Sequence, residues 1–453
     1  MIECMLAAPS SGSGKTAVTC ALLAALEKRG MAPCAFKCGP DYIDPMFHRS
    51  VLGVDSHNLD LFLCDETRLS SLYARYAAGH KAAVTEGVMG FYDGVGGVTD
   101  RASAWHVAHT LKLPVLLVVR PRGASLTLAA QIQGLLSFRR ESGIVGILLN
   151  DCAPMLAQSL TPMLEQQTGL PVLGFLPHMP AAVFESRHLG LLTAGEIQNL
   201  SARMDVLARQ LEQTVDVDRL LSLCRRPARP AVPHTRPAAR AVIAVARDEA
   251  FCFAYEETLD ALRQAGAELA FFSPLRDEQL PRDAGGMYLP GGYPELYADC
   301  LSANVAMRRA VRRAVEQGMP TVAECGGFLY LGRQLEREDG TAFPMAGALP
   351  GSGVRKDRLV RFGYAQVTAD RDSLLFRAGE HFPVHEFHYW DSTENGADLT
   401  AHKPTAKRQW AFGFATPTLY AGFPHLYAAG APVLAERFVQ AAENYRRKGS
   451  ENP

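Results

Sequence analysis

Two groups of residues in this chain have the types and spacing of catalytic machinery, one near each end. Cys325 stands in Pro320-Thr321-Val322-Ala323-Glu324-Cys325-Gly326-Gly327-Phe328-Leu329, an apolar strand that breaks at a cysteine followed by two glycines. That is the layout of a nucleophile elbow. A side chain at a sharp strand-to-helix turn stands clear of the sheet, and glycines let backbone N–H groups approach a developing oxyanion. The thiol is thereby aimed at a carbonyl. Upstream, Met287 to Glu295 reads as a second strand ending in glycines, so Gly291 and Gly292 join Gly326 as candidate donors around a bound acyl group. Downstream, Gly422-Phe423-Pro424-His425-Leu426-Tyr427 offers His425 as the base. The other nine of the ten cysteines have no comparable setting.

At the start of the chain, Met1 to Ala7 reads as a buried strand, followed at once by Ser10-Ser11-Gly12-Ser13-Gly14-Lys15-Thr16 and an Ala/Leu-rich helix to Arg29. Strand, glycine loop, Gly-Lys-Thr and helix make a phosphate-binding loop: Gly12, Ser13 and Gly14 cradle phosphates, Lys15 reaches the outer ones, and the Thr16 hydroxyl meets Mg²⁺. The usual first glycine of such a loop is replaced by Pro9. Lys37-Cys38-Gly39-Pro40-Asp41-Tyr42-Ile43-Asp44-Pro45 places two acids in a proline-set turn, and Glu86 to Gly94 ends another strand with Glu86, glycines and Asp93. Ligands of open parallel sheets bind at the carboxyl ends of strands, so these acids and Lys37 are expected at the same edge as Lys15. Carboxylates beside phosphates make chemical sense with Mg²⁺ between them, which assigns Thr16, Asp44 and Glu86 to the metal. Asn150 ends a further strand, where its amide serves equally well as an adenine reader or a turn residue.

The elements that must position these residues form two α/β domains, each a doubly wound sheet. At 453 residues and 49.2 kDa the chain exceeds one core. Strands near 2–7, 33–37, 82–86, 114–119 and 144–149 alternate with helices over 1–224. Residues 225–240, with four prolines and five arginines, read as a linker. Over 241–453, strands near 241–246, 268–272, 286–289 and 320–324 alternate with helices before a stretch rich in Tyr, Phe, His and Gly. A net charge of −1, from 46 basic and 47 acidic residues, argues against a nucleic-acid partner. Apolar runs are strand-sized, so no membrane span is expected. The first strand opens without a charged, apolar leader, and a cysteine nucleophile needs reducing surroundings; both favour the cytoplasm. The absence of paired C-x-x-C motifs argues against zinc.

The Cys325–His425 order, with a glycine turn ahead of both, resembles the class I glutamine amidotransferases, which release ammonia from glutamine through a cysteinyl thioester. Those enzymes commonly carry a glutamate two residues after the histidine, where this chain has Tyr427; the site is then a Cys-His dyad or takes another acid. The N-terminal loop resembles the dethiobiotin synthetase branch of P-loop ATPases. Over nearly its full length the chain resembles the cobyrinic acid a,c-diamide synthase family, through Gly-Pro-Asp-Tyr-Ile-Asp-Pro at 39–45, Glu-Gly-Val-Met-Gly-Phe-Tyr-Asp-Gly at 86–94, Ala-Arg-Asp-Glu-Ala-Phe-Cys-Phe at 246–253, Pro-Gly-Gly-Tyr-Pro-Glu-Leu at 290–296, Ala-Glu-Cys-Gly-Gly at 323–327 and His-Glu-Phe-His-Tyr at 385–389.

The resemblance implies ATP as substrate, Mg²⁺, glutamine as nitrogen donor, and a corrinoid whose a and c acetates become amides on the way to cobalamin. It also implies that Asp41, Asp44, Glu86 and Asp93 serve the ATP and activated-carboxylate site. Arg120 and Val384 depart from the family's usual aspartate and glycine. His385, His388 and Tyr389 invite a cobalt-ligand reading, but histidines three apart on a strand face opposite ways, so substrate contact or wall-building is favoured. Three other readings stay open: a nickel-sirohydrochlorin a,c-diamide synthase, a cobyric acid synthase, and a nucleotide-switched partitioning ATPase with an inactive second module. A homodimer is allowed but not specified.

Overall fold

The computed structural model describes residues 1–180, 194–230, 232 and 237–451. The chain divides into two compact units, Met1–His234 and Thr235–Pro453. The first is built on seven parallel strands: β1 (Ile2–Ala7), β2 (Pro33–Cys38), β3 (Ser56–Leu59), β4 (Ala82–Glu86), β5 (Val115–Val119), β6 (Ile144–Asn150) and β7 (Val172–Leu176), in the spatial order β3-β2-β4-β1-β5-β6-β7. Every residue of β1, β2, β4 and β5 is buried, because helices cover both faces of a parallel sheet. This is why those strands read as mostly apolar, broken only by Glu3, Lys37, Thr85 and Glu86. Helix α1 (Lys15–Lys28), rich in Ala and Leu, is buried on nearly every side and packs against the helix Ala194–Thr214.

Two strands exceed the sequence expectation. β3 is Ser-His-Asn-Leu, with no apolar run; its buried polar groups are satisfied by bonds to distant groups. Ser56 Oγ meets His48 Nδ1 at 3.0 Å, and the Asn58 amide donates to the Gly39 and Asp41 carbonyls at 2.9 and 2.7 Å. β7 is interrupted by Gly174 at φ 135°, where an added Cβ would lie 2.1 Å from the Thr214 carbonyl. Of the segment expected as a linker, residues 231 and 233–236 lie outside the described residues. Its first part is fastened to the first unit. Arg226 N–H donates to Met1 O at 2.9 Å, and Arg229 pairs with buried Glu3 at 2.7 Å while lying 4.6 Å over the Tyr73 ring.

The second unit carries β8 (Ala241–Ala246), β9 (Ala267–Phe272), β10 (Ala284–Leu289) and β11 (Thr321–Glu324) in one six-stranded sheet. Its order is Phe414–Ala415, Leu419–Gly422, β11, β10, β8, β9, with only the Phe414–Ala415 edge antiparallel. Two apolar cores cover its faces. One gathers around the helix Pro432–Glu451, the other around helices Ala298–Ala303, Val305–Glu316 and Gly326–Leu331. The aromatic-rich stretch forms a five-stranded antiparallel sheet that includes Arg361–Ala369, His381–His388 and His425–Leu426. Its register sets His385 opposite His425.

Candidate active sites

In the first unit the chain leaves buried β1 and turns through Gly12 (φ 77°) and Gly14 (φ 87°), left-handed positions suited to glycine, before α1 begins at Lys15. An added Cβ at Gly14 would lie 2.0 Å from the Asn150 amide nitrogen. That amide donates to the Ser13 carbonyl at 2.9 Å, so the sequence's candidate adenine reader here buttresses the loop. Lys15 is buried, and its ammonium donates to the Met89 carbonyl at 2.5 Å and the Ser10 carbonyl at 3.4 Å. Burial, with Lys37 nearby, lowers its pKa to about 8.

β1, β2 and β4 deliver the remaining groups to the same edge. Glu86, fully buried at the end of β4, accepts from Thr16 Oγ1 at 2.7 Å and from Lys37 Nζ at 2.7 Å, both through Oε1. Its Oε2 has no hydrogen-bond partner among the described residues, and burial raises its pKa against the pull of Lys37. Lys37 also pairs with Asp44 at 2.5 Å. Burial works against the Asp44 charge, but Lys37 and His48 overrule it and hold this carboxyl below its usual range. Asp41 accepts from the Ile43 N–H at 2.8 Å; burial and the Asp44 charge push it up to about 6. Asp93 accepts from the Gly90 N–H at 2.9 Å. Gly90 is required there, since a Cβ would lie 2.7 Å from the Pro9 carbonyl.

Thr16 and Glu86 thus offer a hydroxyl and an orphaned carboxylate oxygen side by side, a hard oxygen pair that fits Mg²⁺, which takes few protein ligands and completes its shell with water and phosphates. Asp44, the third expected ligand, pairs with Lys37, the same ammonium that bonds Glu86. Among the described residues no group of three or more His, Cys, Asp or Glu side chains is arranged to hold a metal. Sequence reasoning noted Arg120 at this edge but missed its partners. Asp151, just after β6, pairs with Arg120 and, at 2.8 Å, with His178. Besides the departure at Arg120, the signal was that all three follow adjacent strand ends.

In the second unit Cys325 has φ 48° and ψ −104°, a conformation that L-residues rarely adopt and the strain expected of an elbow. Its N–H donates to the Gly422 carbonyl at 2.8 Å, and its carbonyl accepts from Leu329 at 3.0 Å as the helix Gly326–Leu331 begins. The glycines converge on it. A Cβ on Gly326 would lie 3.0 Å from the Gly292 nitrogen, and one on Gly291 would lie 2.5 Å from His425 Cε1. Burial pushes the Cys325 thiol up, as does the charge of Glu295, while the Gly326 N–H favours the thiolate. Glu295 is itself raised to about 7 by burial.

His425 is 3% exposed, with Nδ1 3.7 Å from Glu324 Oε2. Glu324 is held in turn by the Tyr288 hydroxyl at 3.0 Å and by the Leu426 N–H at 3.1 Å. Tyr427 packs edge-on against Tyr255, with ring centroids 5.2 Å apart. On the antiparallel sheet, burial and the proximity of His425 lower His385 to about 3. Both His388 nitrogens are engaged, by Glu386 at 2.9 Å and the Trp390 carbonyl at 2.5 Å, and its ring stacks on Phe423. The strand alternates buried and more open positions, which sends His385 and His388 to opposite faces and does not bring them together as a metal pair.

Residues 4–190 match the CobQ/CobB/MinD/ParA nucleotide binding domain, and residues 242–429 match the CobB/CobQ-like glutamine amidotransferase domain. A nucleotide-binding α/β domain and a glutamine amidotransferase domain on one chain define a glutamine-dependent amidating ligase that uses ATP as substrate. Three proteins named cobyrinate a,c-diamide synthase align with almost the whole chain. That of Salmonella typhimurium is 39% identical over 448 residues, 97% of each chain. That of Synechococcus sp. is 37% identical over 452 residues, 97% of this chain and 98% of the relative. That of Caldanaerobacter subterraneus is 35% identical over 450 residues, 98% of this chain and 99% of the relative. The chain belongs to the cobyrinate a,c-diamide synthase family. Among the described residues no helix is long and apolar enough to cross a membrane.

Proposed function

We propose that residues 1–224 activate the a and c acetate carboxylates of cobyrinic acid, or its metal-free counterpart, by phosphoryl transfer from ATP, and that residues 241–453 supply ammonia from glutamine. The observation that carries this reading is the gathering of Lys15, Thr16, Lys37 and Glu86 at one sheet edge, and, in the other unit, the approach of the Gly291–Gly292 turn to His425 and to Gly326 beside Cys325. A free carboxylate resists ammonia because oxide is a poor leaving group. Transfer of the γ-phosphoryl group gives an acyl phosphate and ADP; ammonia then attacks the carbonyl carbon and phosphate departs, leaving the amide.

Lys15 leaves the Met89 carbonyl for the phosphates and neutralises the charge that develops during transfer. Thr16 and Glu86 would hold Mg²⁺, which when bound supplies further neutralisation of phosphate charge. Lys37 fixes Glu86 and is itself paired with Asp44, while Asp41 and Asp93 shape two nearby turns. In the second unit His425 takes the Cys325 proton, the thiolate attacks the glutamine amide carbon, and N–H groups of the Gly291, Gly292 and Gly326 turns stabilise the oxyanion. The C–N bond breaks to release ammonia, and water hydrolyses the thioester to glutamate.

The test is incubation with cobyrinic acid, ATP, Mg²⁺ and glutamine, followed by mass spectrometry. Two successive acid-to-amide changes, each losing about one mass unit, support the proposal; ATP turnover without amide formation overturns it. A parallel reaction with nickel-sirohydrochlorin distinguishes that substrate.

A further inference from the structure

We propose that Glu324, the residue immediately before the nucleophile, is the positioning acid for His425. The inference rests on the Cys325–His425 glutaminase assigned above and concerns what orients its base. A catalytic imidazole needs its far nitrogen held by an acceptor, so that the near nitrogen is free to take the thiol proton and the imidazolium is stabilised once formed. The position two residues past His425 carries Tyr427, whose ring is buried edge-on against Tyr255 with centroids 5.2 Å apart. Tyr427 has no carboxylate to offer.

Glu324 has one, already built into the correct place. Its Oε2 lies 3.7 Å from His425 Nδ1, and both side chains are almost completely buried, at 2% and 3% exposure. Its own geometry is fixed from two directions. The Tyr288 hydroxyl, arriving from β10, donates to Oε2 at 3.0 Å, and the N–H of Leu426, next to the base, donates to Oε1 at 3.1 Å. The second bond ties the carboxylate to the strand that carries the imidazole, so acid and base are positioned as one unit. Strand pairing from Thr321 to Glu324 against Leu419 to Gly422 brings the two segments together just before each reaches its catalytic residue. The 3.7 Å separation shortens to a hydrogen bond by a small ring rotation as positive charge develops on His425; catalytic contacts without substrate are often this long.

The test uses the full-length enzyme with Glu324→Gln and Glu324→Asp, alongside Cys325→Ser and His425→Ala, assayed for glutamine hydrolysis and for ATP-dependent amidation with ammonium. Glu324→Gln keeps the size of the side chain but turns the acceptor facing His425 into an amide that favours the wrong tautomer. Expected is a loss on the order of 10²-fold or more in glutaminase kcat with KM for glutamine changed less than about threefold. Glu324→Asp is expected to recover at least about tenfold over the Gln variant, and ammonium-driven synthesis to persist in both. A folded Glu324→Gln enzyme with kcat within about threefold of normal overturns the proposal while leaving Cys325 and His425 in place. A rise in KM with kcat preserved overturns it too, marking Glu324 as scaffold. Retention of glutaminase by Cys325→Ser instead sinks the underlying assignment.

Discussion

Gly291→Ala adds one methyl group to the catalytic turn, and the structure shows where that methyl goes. It would lie 2.5 Å from His425 Cε1 and 3.4 Å from both His425 Nε2 and Phe253 Cβ. Carbon atoms in ordinary contact sit about 3.5–4.0 Å apart, so the imidazole must retreat by about 1 Å. It cannot do so freely. Its backbone is paired opposite His385, its neighbour Leu426 is bonded to Glu324, and the ring is 3% exposed. Gly291 itself has no left-handed backbone, so alanine adds no φ strain and the perturbation acts through the contact alone. A 1 Å misplacement of a catalytic group costs on the order of 10²-fold, which corresponds to about 2.7 kcal/mol of transition-state stabilisation. The overpacking adds about 1–3 kcal/mol against the fold, so thermal melting is measured on the same preparation. The assay is glutamate release from glutamine, set beside amide synthesis from ammonium. Glutamine turnover should fall about 10²-fold while the ammonium reaction continues. Glutaminase within about threefold of normal in a folded variant would falsify the claim that the Gly291 turn sets the position of His425.

The other expectations concern both units. Cys325→Ser should abolish glutamine-driven diamide formation yet keep ATP-dependent synthesis with high ammonium at raised pH; a folded variant that uses neither source refutes the division of labour. Lys15→Ala should lose on the order of 10³-fold with either nitrogen source, and near-normal turnover would overturn the ATP-site assignment. Because Lys15 titrates near 8 without nucleotide and bound phosphates favour its charged form, ATP binding at pH 8 should take up a fraction of a proton. Calorimetry in two buffers of different ionisation enthalpy reads that uptake, and proton release would contradict it. Asp41, raised to about 6, binds its proton more tightly when folded, so the stability it contributes is complete below about pH 4 and is lost as pH rises through 6. Asp41→Asn should therefore gain on the wild type across that window, by at most about 3 kcal/mol in denaturant titrations. An unchanged difference from pH 4 to 7 counts against a raised Asp41.

How much of this was legible in the sequence follows from how each group is satisfied. β1, β4 and β5 are covered on both faces, which favours apolar residues at most positions and leaves a readable run, with Glu3, Thr85 and Glu86 the exceptions. The phosphate loop was legible for a similar reason: Gly12 and Gly14 occupy left-handed positions, so glycine recurs where the backbone requires it. β3 was not legible, because Ser56 and Asn58 are buried on the strength of bonds to His48, Gly39 and Asp41, partners that no local window reveals. Asp44 shows the same limit within the site. Its spacing singled out a candidate carboxylate, but only the fold discloses that Lys37 joins it to Glu86, whose second oxygen has no partner among the described residues. Glu324 is the extreme case. Neighbours on a strand face opposite ways, so the residue before a nucleophile reads as turned away from the chemistry. At Cys325 the strand ends in a left-handed kink, and His425 returns from a segment a hundred residues later to meet the side that Glu324 faces. The acid that the usual position lacks is therefore supplied by tertiary pairing, and the strained backbone at Cys325 lets two adjacent residues serve the same imidazole.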